Sequence, residues 1–301
     1  MGQTGKESLR MSEVPSKKKV ASVVIFGAGG MGRRLHDILS KQEGIKVIAF
    51  VDNDTNKHGK QYGGATIYPP AELASLTFDY LYYGTQMGVN EICFQIDALN
   101  IPSGKIRRDY IDTITNARKL FVDRFSELAK GQGVTGAVAE AGVYRGEFAC
   151  HINAVFPNET MYLFDTFAGF DQKDFEFERD ESLLAADHFK ETSVDYVLNR
   201  MPHPGKCIIK QGYFPDTLGT LEDRFILVSL DMDLYKPTLS GLQYFYPRMV
   251  AGGCILIHDY FTPAYPNVKK AVDDYEIQSG HRLCVMPIGD DVSVAIIKIG
   301  N

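Results

Sequence analysis

The stretch VTGAVAEAGVYRGEFA, residues 134–149, governs how the rest of the chain is read. A short apolar run carries an acid, Glu140, near its end. Gly142, Tyr144 and Gly146 follow, and then a segment of helical spacing. Strand, glycine turn and helix in that order open an α/β nucleotide fold, in which backbone approaches a ligand at the turn. An acid at the strand end with glycines at this spacing reads as an S-adenosylmethionine (SAM) site. Glu140 can face the methionine ammonium or order the loop, and Gly142, Tyr144 and Gly146 line the cofactor. Asp165 ends the next apolar run, in LFDTFAGF, 25 residues further on. A carboxylate there can accept from both ribose hydroxyls in charge-assisted bonds. Each acid alone reads equally as a cap or a solvated strand end; in register with two strands they read as a cofactor site.

Downstream, strands fit at 136–141, 160–164, 206–210, 225–230 and 253–257, with helices between them. That alternation implies a parallel sheet covered on both faces. Residues 282–287 and 292–299 flank IGDD with no room for a helix, so an antiparallel hairpin closes the sheet. The third strand runs into Gly212 and Tyr213, which can form an adenine wall. The alternative makes Tyr213 and Phe214 plain core. Two further strand ends carry acids: LVSLDMDLY with Asp231 and Asp233, and CILIHDYF with His258 and Asp259. Ligands bind at this edge of open α/β sheets. Asp, Asp, His and Asp without cysteine make a hard, mainly oxygen donor set, suited to Mg²⁺ with Mn²⁺ as the alternative. A cation there lowers the pKa of a hydroxyl and fixes its oxygen. Asp231 and His258 are the candidate bases, and ordinary capping acids are the bland alternative.

Upstream, Val20 to Phe26 reads as a buried strand running into GAGGMG, residues 27–32, then a helix, a second strand at 47–51 and Asp52. Gly27, Gly29 and Gly32 form a G-x-G-x-x-G turn, and Asp52 stands where an acid can hold a ribose hydroxyl. The expectation is a second, smaller Rossmann-like domain with a nucleotide site. The rival is a domain keeping its glycines for packing. A loop rich in Asn, Asp, Gly and Lys follows, with strands near 78–83 and 105–106 and a helix over 110–130. Hydride transfer by this domain needs an acid or base opposite a nicotinamide, and the Tyr265-x-x-x-Lys269 pair lies far downstream. The domains expected are therefore a disordered tail at 1–19, a nucleotide-binding domain at 20–109 and a SAM-binding domain at 110–301.

Composition agrees with two globular domains. The 301 residues are 45% hydrophobic and 23% charged, with a net charge of -6. The acidic balance argues against nucleic acid or an anionic membrane as partner. The first 20 residues lack the apolar core of a signal peptide. Cys93, Cys150, Cys207, Cys254 and Cys284 are widely spaced with no C-x-x-C. Buried free thiols in a reducing cytoplasm are expected.

The segments AEAGVYRGEFA, LFDTFAGF, GYFPDTL, SLDMDLYKPT, YFYPRMVAGGCILIHDYF and VKKAVDDY, in this order from about residue 112 to 301, resemble the macrocin O-methyltransferase family. The resemblance implies SAM- and Mg²⁺-dependent methylation of a sugar hydroxyl on a small molecule or glycan precursor. It also implies metal ligation by Asp231, His258 and Asp259, and a homo-oligomer. Catechol-type methyltransferases share the glycine opening but carry a lysine three residues after the first metal aspartate, where this chain has Leu234. Residues 20–105 resemble accessory nucleotide-binding domains of polysaccharide-biosynthesis proteins. Residues 170–200 read as an acidic, aromatic lid over the site, or else a solvated helix pair; His188 and His203, in or near it, read as surface residues.

Overall fold

The computed structural model describes residues 20–85, 89–171, 173–174, 178, 189–262 and 265–300. The tail at 1–19 and most of the 170–190 segment, His188 included, lie outside the described residues. The chain divides into two compact units, Met1–Ile111 and Asp112–Asn301.

In the first unit, β1 (Ala21–Phe26) runs into α1 (Gly30–Leu39) and returns as β2 (Ile45–Val51). The hairpin strands β3 (Gln61–Tyr62) and β4 (Ala65–Tyr68) follow, then β5 (Tyr80–Tyr83), α2 (Val89–Ala98) and β6 (Ile106–Arg107). The sheet order is β3-β4-β2-β1-β5-β6. All neighbours are parallel except β3 and β4. The stretch after Asp52, expected to be a loop, contains this hairpin. Its strands are too short for an alternation to show, and Gly63 and Gly64, both at positive φ, make the two-residue turn. On α1, Gly32, Leu35, His36 and Leu39 are buried at helical spacing. Leu35 and Leu39 pack with Val23, Ile25 and Phe50 on one sheet face, and Ile92 and Ile96 of α2 pack with Val24, Phe26 and Leu81 on the other.

The long helix α3 (Asp109–Gly131) lies in the second unit from Asp112 onward. Strands β7 (Ala137–Ala141), β8 (Met161–Asp165) and β9 (Cys207–Gln211) follow, with α4 (Glu147–Val155) and α5 (Val194–Leu198) between them. Then come β10 (Phe225–Leu230), α6 (Tyr235–Phe245), β11 (Met249–Ile257), α7 (Pro266–Ser279), β12 (Cys284–Pro287) and β13 (Val294–Ile297). The order β12-β13-β11-β10-β7-β8-β9 is parallel from β11 to β9. The hairpin β12–β13 pairs antiparallel onto β11. This is the mostly parallel sheet closed by a C-terminal hairpin that the strand spacing predicts. Every residue of β10 is buried, because both faces are covered. Phe225, Val228 and Leu230 pack with Leu242, Phe245, Val268 and Val272 of α6 and α7. Ile226 and Leu227 pack with Val122, Ala149, Ile152 and Val197 of α3, α4 and α5. From β7 the chain steps outward to β8 and β9, then crosses back to β10, so a switch point lies between β7 and β10.

All five cysteines are free, and Cys254 alone among them is fully buried. Among the described residues, no helix is long and apolar enough to cross a membrane.

The first glycine turn is held by its own packing. A Cβ on Gly32 would sit 1.8 Å from the Gly27 carbonyl oxygen, inside van der Waals contact. Gly32→Ala is therefore expected to destabilise the first unit by about 1–3 kcal/mol. Urea unfolding followed by tyrosine fluorescence would show this as an earlier transition.

Candidate functional site

The carboxyl edge of the second sheet is level because the ladder runs one bond past each strand. Asp231 N donates to Ala141 O at 2.8 Å, His258 N to Leu230 O at 3.0 Å and Gly142 N to Phe164 O at 2.9 Å. Gly142, Asp231 and His258 thus emerge side by side at the switch point. Beyond them the backbone turns sharply. Asp233 (φ 61) and Asp259 (φ 57) both adopt the left-handed conformation, uncommon for residues other than glycine. Such outliers gather where a site over-determines the backbone.

Asp231, Asp233, His258 and Asp259 each place one donor atom within 4.8 Å of the others'. His258 Nδ1 lies 3.0 Å from Asp231 Oδ1 and 2.8 Å from Asp259 Oδ2. Thr262 Oγ1 donates to Asp259 Oδ1 at 2.5 Å. Burial favours the neutral form of Asp231, but the charges of His258 and Arg118 outweigh it and hold the carboxyl well below the ordinary range. Asp259 is lowered in the same way, burial being outweighed by His258. His258 is the converse: burial opposes its charge, yet Asp231 and Asp259 hold it well above the ordinary histidine value. Asp233 goes the other way. Burial, then the charge and hydrogen bond of Asp259, push it well above the ordinary carboxylate range. Three carboxylates and an imidazole converging on one point suit a divalent cation of the Mg²⁺ or Mn²⁺ kind, and the donor set fits it.

Arg118 of α3 completes the cluster and was not expected. Its Nη1 donates to Asp231 Oδ2 at 2.8 Å and its Nη2 to Ser229 Oγ at 2.7 Å. The guanidinium lies 3.8 Å from the centroid of Phe148. A lone arginine on a helix carries no signal in the sequence. Ser229 does: a hydroxyl in the middle of an apolar central strand must have a partner.

The cofactor-loop candidates divide by what the fold asks of them. Gly142 (φ +85) has its Cβ direction aimed at the Asp231 carbonyl oxygen, 1.8 Å away, so any side chain is excluded. At Gly146 (φ +71) a Cβ would meet Val197 Cγ1 at 2.9 Å. Both glycines are required by packing of the loop. Asp165 is already engaged: Oδ2 accepts from Val143 N at 2.7 Å and Tyr144 N at 2.8 Å, and Oδ1 from Phe167 N at 2.6 Å. A carboxylate has about four acceptor positions, so one remains for a ribose hydroxyl rather than two. Tyr144 sits at φ 47 beside Phe189, ring centroids 5.2 Å apart. Gly212 (φ +132) and Tyr213 follow β9; the Tyr213 hydroxyl donates to Asp174 at 2.7 Å, while Phe214 is core against Phe164 and Phe245. Asp174 is buried, which pushes its carboxyl up to about 6. Glu140 is 2% exposed, and its Oε2 has no hydrogen-bond partner. Burial pushes it up to about 8 even though the positive charge of Arg118 pulls it down. One buried oxygen of this carboxyl, beside the glycine loop, is thus left without a partner.

Of the lid expected at 170–200, the described residues hold three anchors around this edge. Asp174 binds Tyr213, Glu178 accepts from Tyr235 N at 2.9 Å and Asn267 Nδ2 at 2.7 Å, and Arg145 pairs with Glu191 at 2.7 Å. His203 is exposed.

The first glycine loop shows the same economy. Asp52 Oδ2 accepts from Ala28 N at 2.7 Å and Lys57 Nζ at 3.1 Å, and Oδ1 from Asp54 N at 2.8 Å. Gly27 (φ +103) and Gly32 are confined by neighbouring atoms, whereas nothing lies within 4 Å of the Cβ direction of Gly29.

The family model described as Macrocin-O-methyltransferase (TylF) matches residues 112–293, which hold the site and every strand of this sheet except β13. The chain belongs to the macrocin O-methyltransferase family. A second model, C2185-like, N-terminal, matches residues 19–107. Among curated relatives, the Mycinamicin III 3''-O-methyltransferase of Micromonospora griseorubida is 27% identical over 169 residues, covering 51% of this chain and 65% of that protein. The 8-demethyl-8-(2,3-dimethoxy-alpha-L-rhamnosyl)-tetracenomycin-C 4'-O-methyltransferase of Streptomyces olivaceus is 27% identical over 167 residues, covering 51% and 63%. The chain therefore spans a little less than two thirds of the length of the curated relatives it matches. The O-methyltransferase NovP has the same fold, with a TM-score of 0.53 at 23% identity over 61% of this chain and 80% of that one.

Glu140 gives this macrocin-type fold a pH dependence of known sign. Its carboxyl rises from 4.5 to about 8 in the folded protein. Between those values the folded state holds a proton that the unfolded state has released, so stability falls as pH rises, by up to about 1.4 kcal/mol per unit. Glu140→Gln is expected to flatten that slope, leaving the ligand-free variant more stable than the native protein at pH 8 and closer to it at pH 5.5. Urea unfolding at the two pH values checks both.

Proposed function

We propose that this protein is a SAM-dependent, divalent-cation-dependent O-methyltransferase acting on a sugar hydroxyl of a glycoside, nucleotide-sugar or glycan precursor. One observation carries the reading: the glycine loop, with the orphaned Oε2 of Glu140, and the cluster of Asp231, Asp233, His258 and Asp259 meet at a single switch point. The printed name of the Streptomyces olivaceus relative, a 4'-O-methyltransferase of a rhamnosyl-bearing tetracenomycin, supports the acceptor class.

In this reading Glu140 accepts from the amine of the cofactor's methionine end, and Asp165 accepts from one ribose hydroxyl while tying down the loop. Tyr213 offers the aromatic wall for the adenine. Asp231, His258 and Asp259 hold the cation, which when bound acidifies the acceptor hydroxyl and fixes its oxygen. Proton removal falls to Asp233. Asp231, named with His258 as a base from sequence, is held below the ordinary range and takes protons poorly, and His258 is turned to two carboxylates through Nδ1 and is assigned to the ion. Asp233 has the highest proton affinity among the three clustered carboxyls. The first unit is read as a nucleotide-binding domain whose ligand would reach the loop at Gly29; no described residue favours hydride transfer there.

Asp231→Asn is expected to lower methyl transfer to a sugar acceptor by at least a hundredfold, with the SAM dissociation constant within about threefold of native. Calorimetry and a panel of glycosides and nucleotide-sugars measure the two. Unchanged turnover would remove the cation from the reaction. Binding of the cation must also displace the His258 proton. Below the raised pKa of His258, affinity for Mg²⁺ is expected to climb with pH, by about tenfold per unit for each proton released. Titrations at pH 6, 7 and 8 in two buffers of different ionisation enthalpy test it, and a flat profile would contradict ligation by His258.

A further inference from the structure

Arg118 stands outside every role assigned above. It leaves α3, a helix that precedes the sheet, and reaches the carboxyl end of β10. Asp231 and Ser229 are two residues apart, so they share one side of the strand line, and the guanidinium reads both at once. Its Nη1 takes Asp231 Oδ2 at 2.8 Å and its Nη2 takes Ser229 Oγ at 2.7 Å, with Ser229 fully buried. Phe148 stacks under the plane at 3.8 Å. The arginine side chain is 11% exposed. The two oxygens of Asp231 are thereby given different tasks. Oδ2 is occupied by Arg118, and Oδ1 is turned toward His258 Nδ1, 3.0 Å away, and so toward the cluster.

We propose that Arg118 is a positioning residue for the cation site: by pinning Oδ2 and the neighbouring serine, it fixes the side chain of Asp231 so that Oδ1 is presented to the ion. This rests on the cation reading above. A planar fork suits the task, because two parallel donors set an orientation that a single ammonium cannot. Charge alone makes the opposite prediction. A fixed positive group beside a cation site repels the ion, so removing it without loss of geometry would tighten binding. The sign of the effect therefore separates positioning from bare electrostatics.

The experiment is titration of the full-length protein with Mn²⁺, read from the electron paramagnetic resonance signal of the free ion, for native protein, Arg118→Lys, Arg118→Met and Ser229→Ala. SAM affinity is measured in parallel by calorimetry. Arg118→Met is expected to weaken Mn²⁺ binding at least tenfold although it deletes a positive charge. Arg118→Lys should fall between it and native, and Ser229→Ala should weaken binding about threefold. In Arg118→Lys and Ser229→Ala the loss for Mn²⁺ should exceed the loss for SAM. Binding by Arg118→Met as tight as native, or tighter, overturns the proposal. If Arg118→Met does not fold, as judged by its circular dichroism melt, Arg118→Lys and Ser229→Ala decide, and native Mn²⁺ affinity in both overturns it. A native protein that binds no Mn²⁺ removes the cation reading and this proposal together. Native binding with unaffected variants removes the proposal alone.

Discussion

The glycine loop and the acidic strand end are pressed together at one point, where the Cβ direction of Gly142 meets the carbonyl oxygen of Asp231 at 1.8 Å. No side chain fits between them, and the next backbone bond, from Asp231 N to Ala141 O, locks the two strands in register. Everything proposed for the site depends on that contact. The loop that would carry the cofactor and the strand that would carry the ion cannot move apart without breaking the central ladder of the sheet. Methyl transfer needs donor and acceptor held in line, and a shared backbone junction supplies that rigidity.

A second constraint is charge. Asp231 and Asp259 are held below the ordinary carboxylate range in a half-buried cluster, where an unpaired charge is costly. The compensation is supplied by Arg118 on one side and His258 on the other, while burial raises the carboxyls of Asp233 and Glu140. The carboxylates are thus faced by the protein's own cations. A divalent ion and a cationic amine enter by taking over those duties, so ligand exchange is also proton exchange.

The sequence shows β7 to β10 to within a residue or so, because β7, β8 and β10 are buried, largely apolar runs with an acid at or beside their ends, Glu140, Asp165 and Asp231, and β9 follows the same spacing. β11 begins at Met249, earlier than its apolar core, because Ala251, Gly252 and Gly253 hide its first half. The β3–β4 hairpin escaped notice because two- and four-residue strands carry no period. Within the site, strand-end positions such as Asp231, His258 and Asp259 are legible, being local. What each carboxyl does is not. Asp233 and Asp231 are two residues apart and chemically identical, yet burial and neighbours send their proton affinities in opposite directions. Arg118 meets its carboxylate across 113 positions of sequence, a separation no local pattern encodes.

One feature recurs in both units. Asp165 ties Val143 N and Tyr144 N, and Asp52 ties Ala28 N, so in each unit the acid ending the second strand of the sheet grips the glycine turn after the first. Glycines make a turn possible but also make it floppy, since they give the unfolded and the free loop the most conformations to lose. A carboxylate holding the amides in advance means that most of this entropy has been surrendered during folding. A ligand arriving at either turn then meets a finished cradle, and little of its affinity is consumed in ordering the loop.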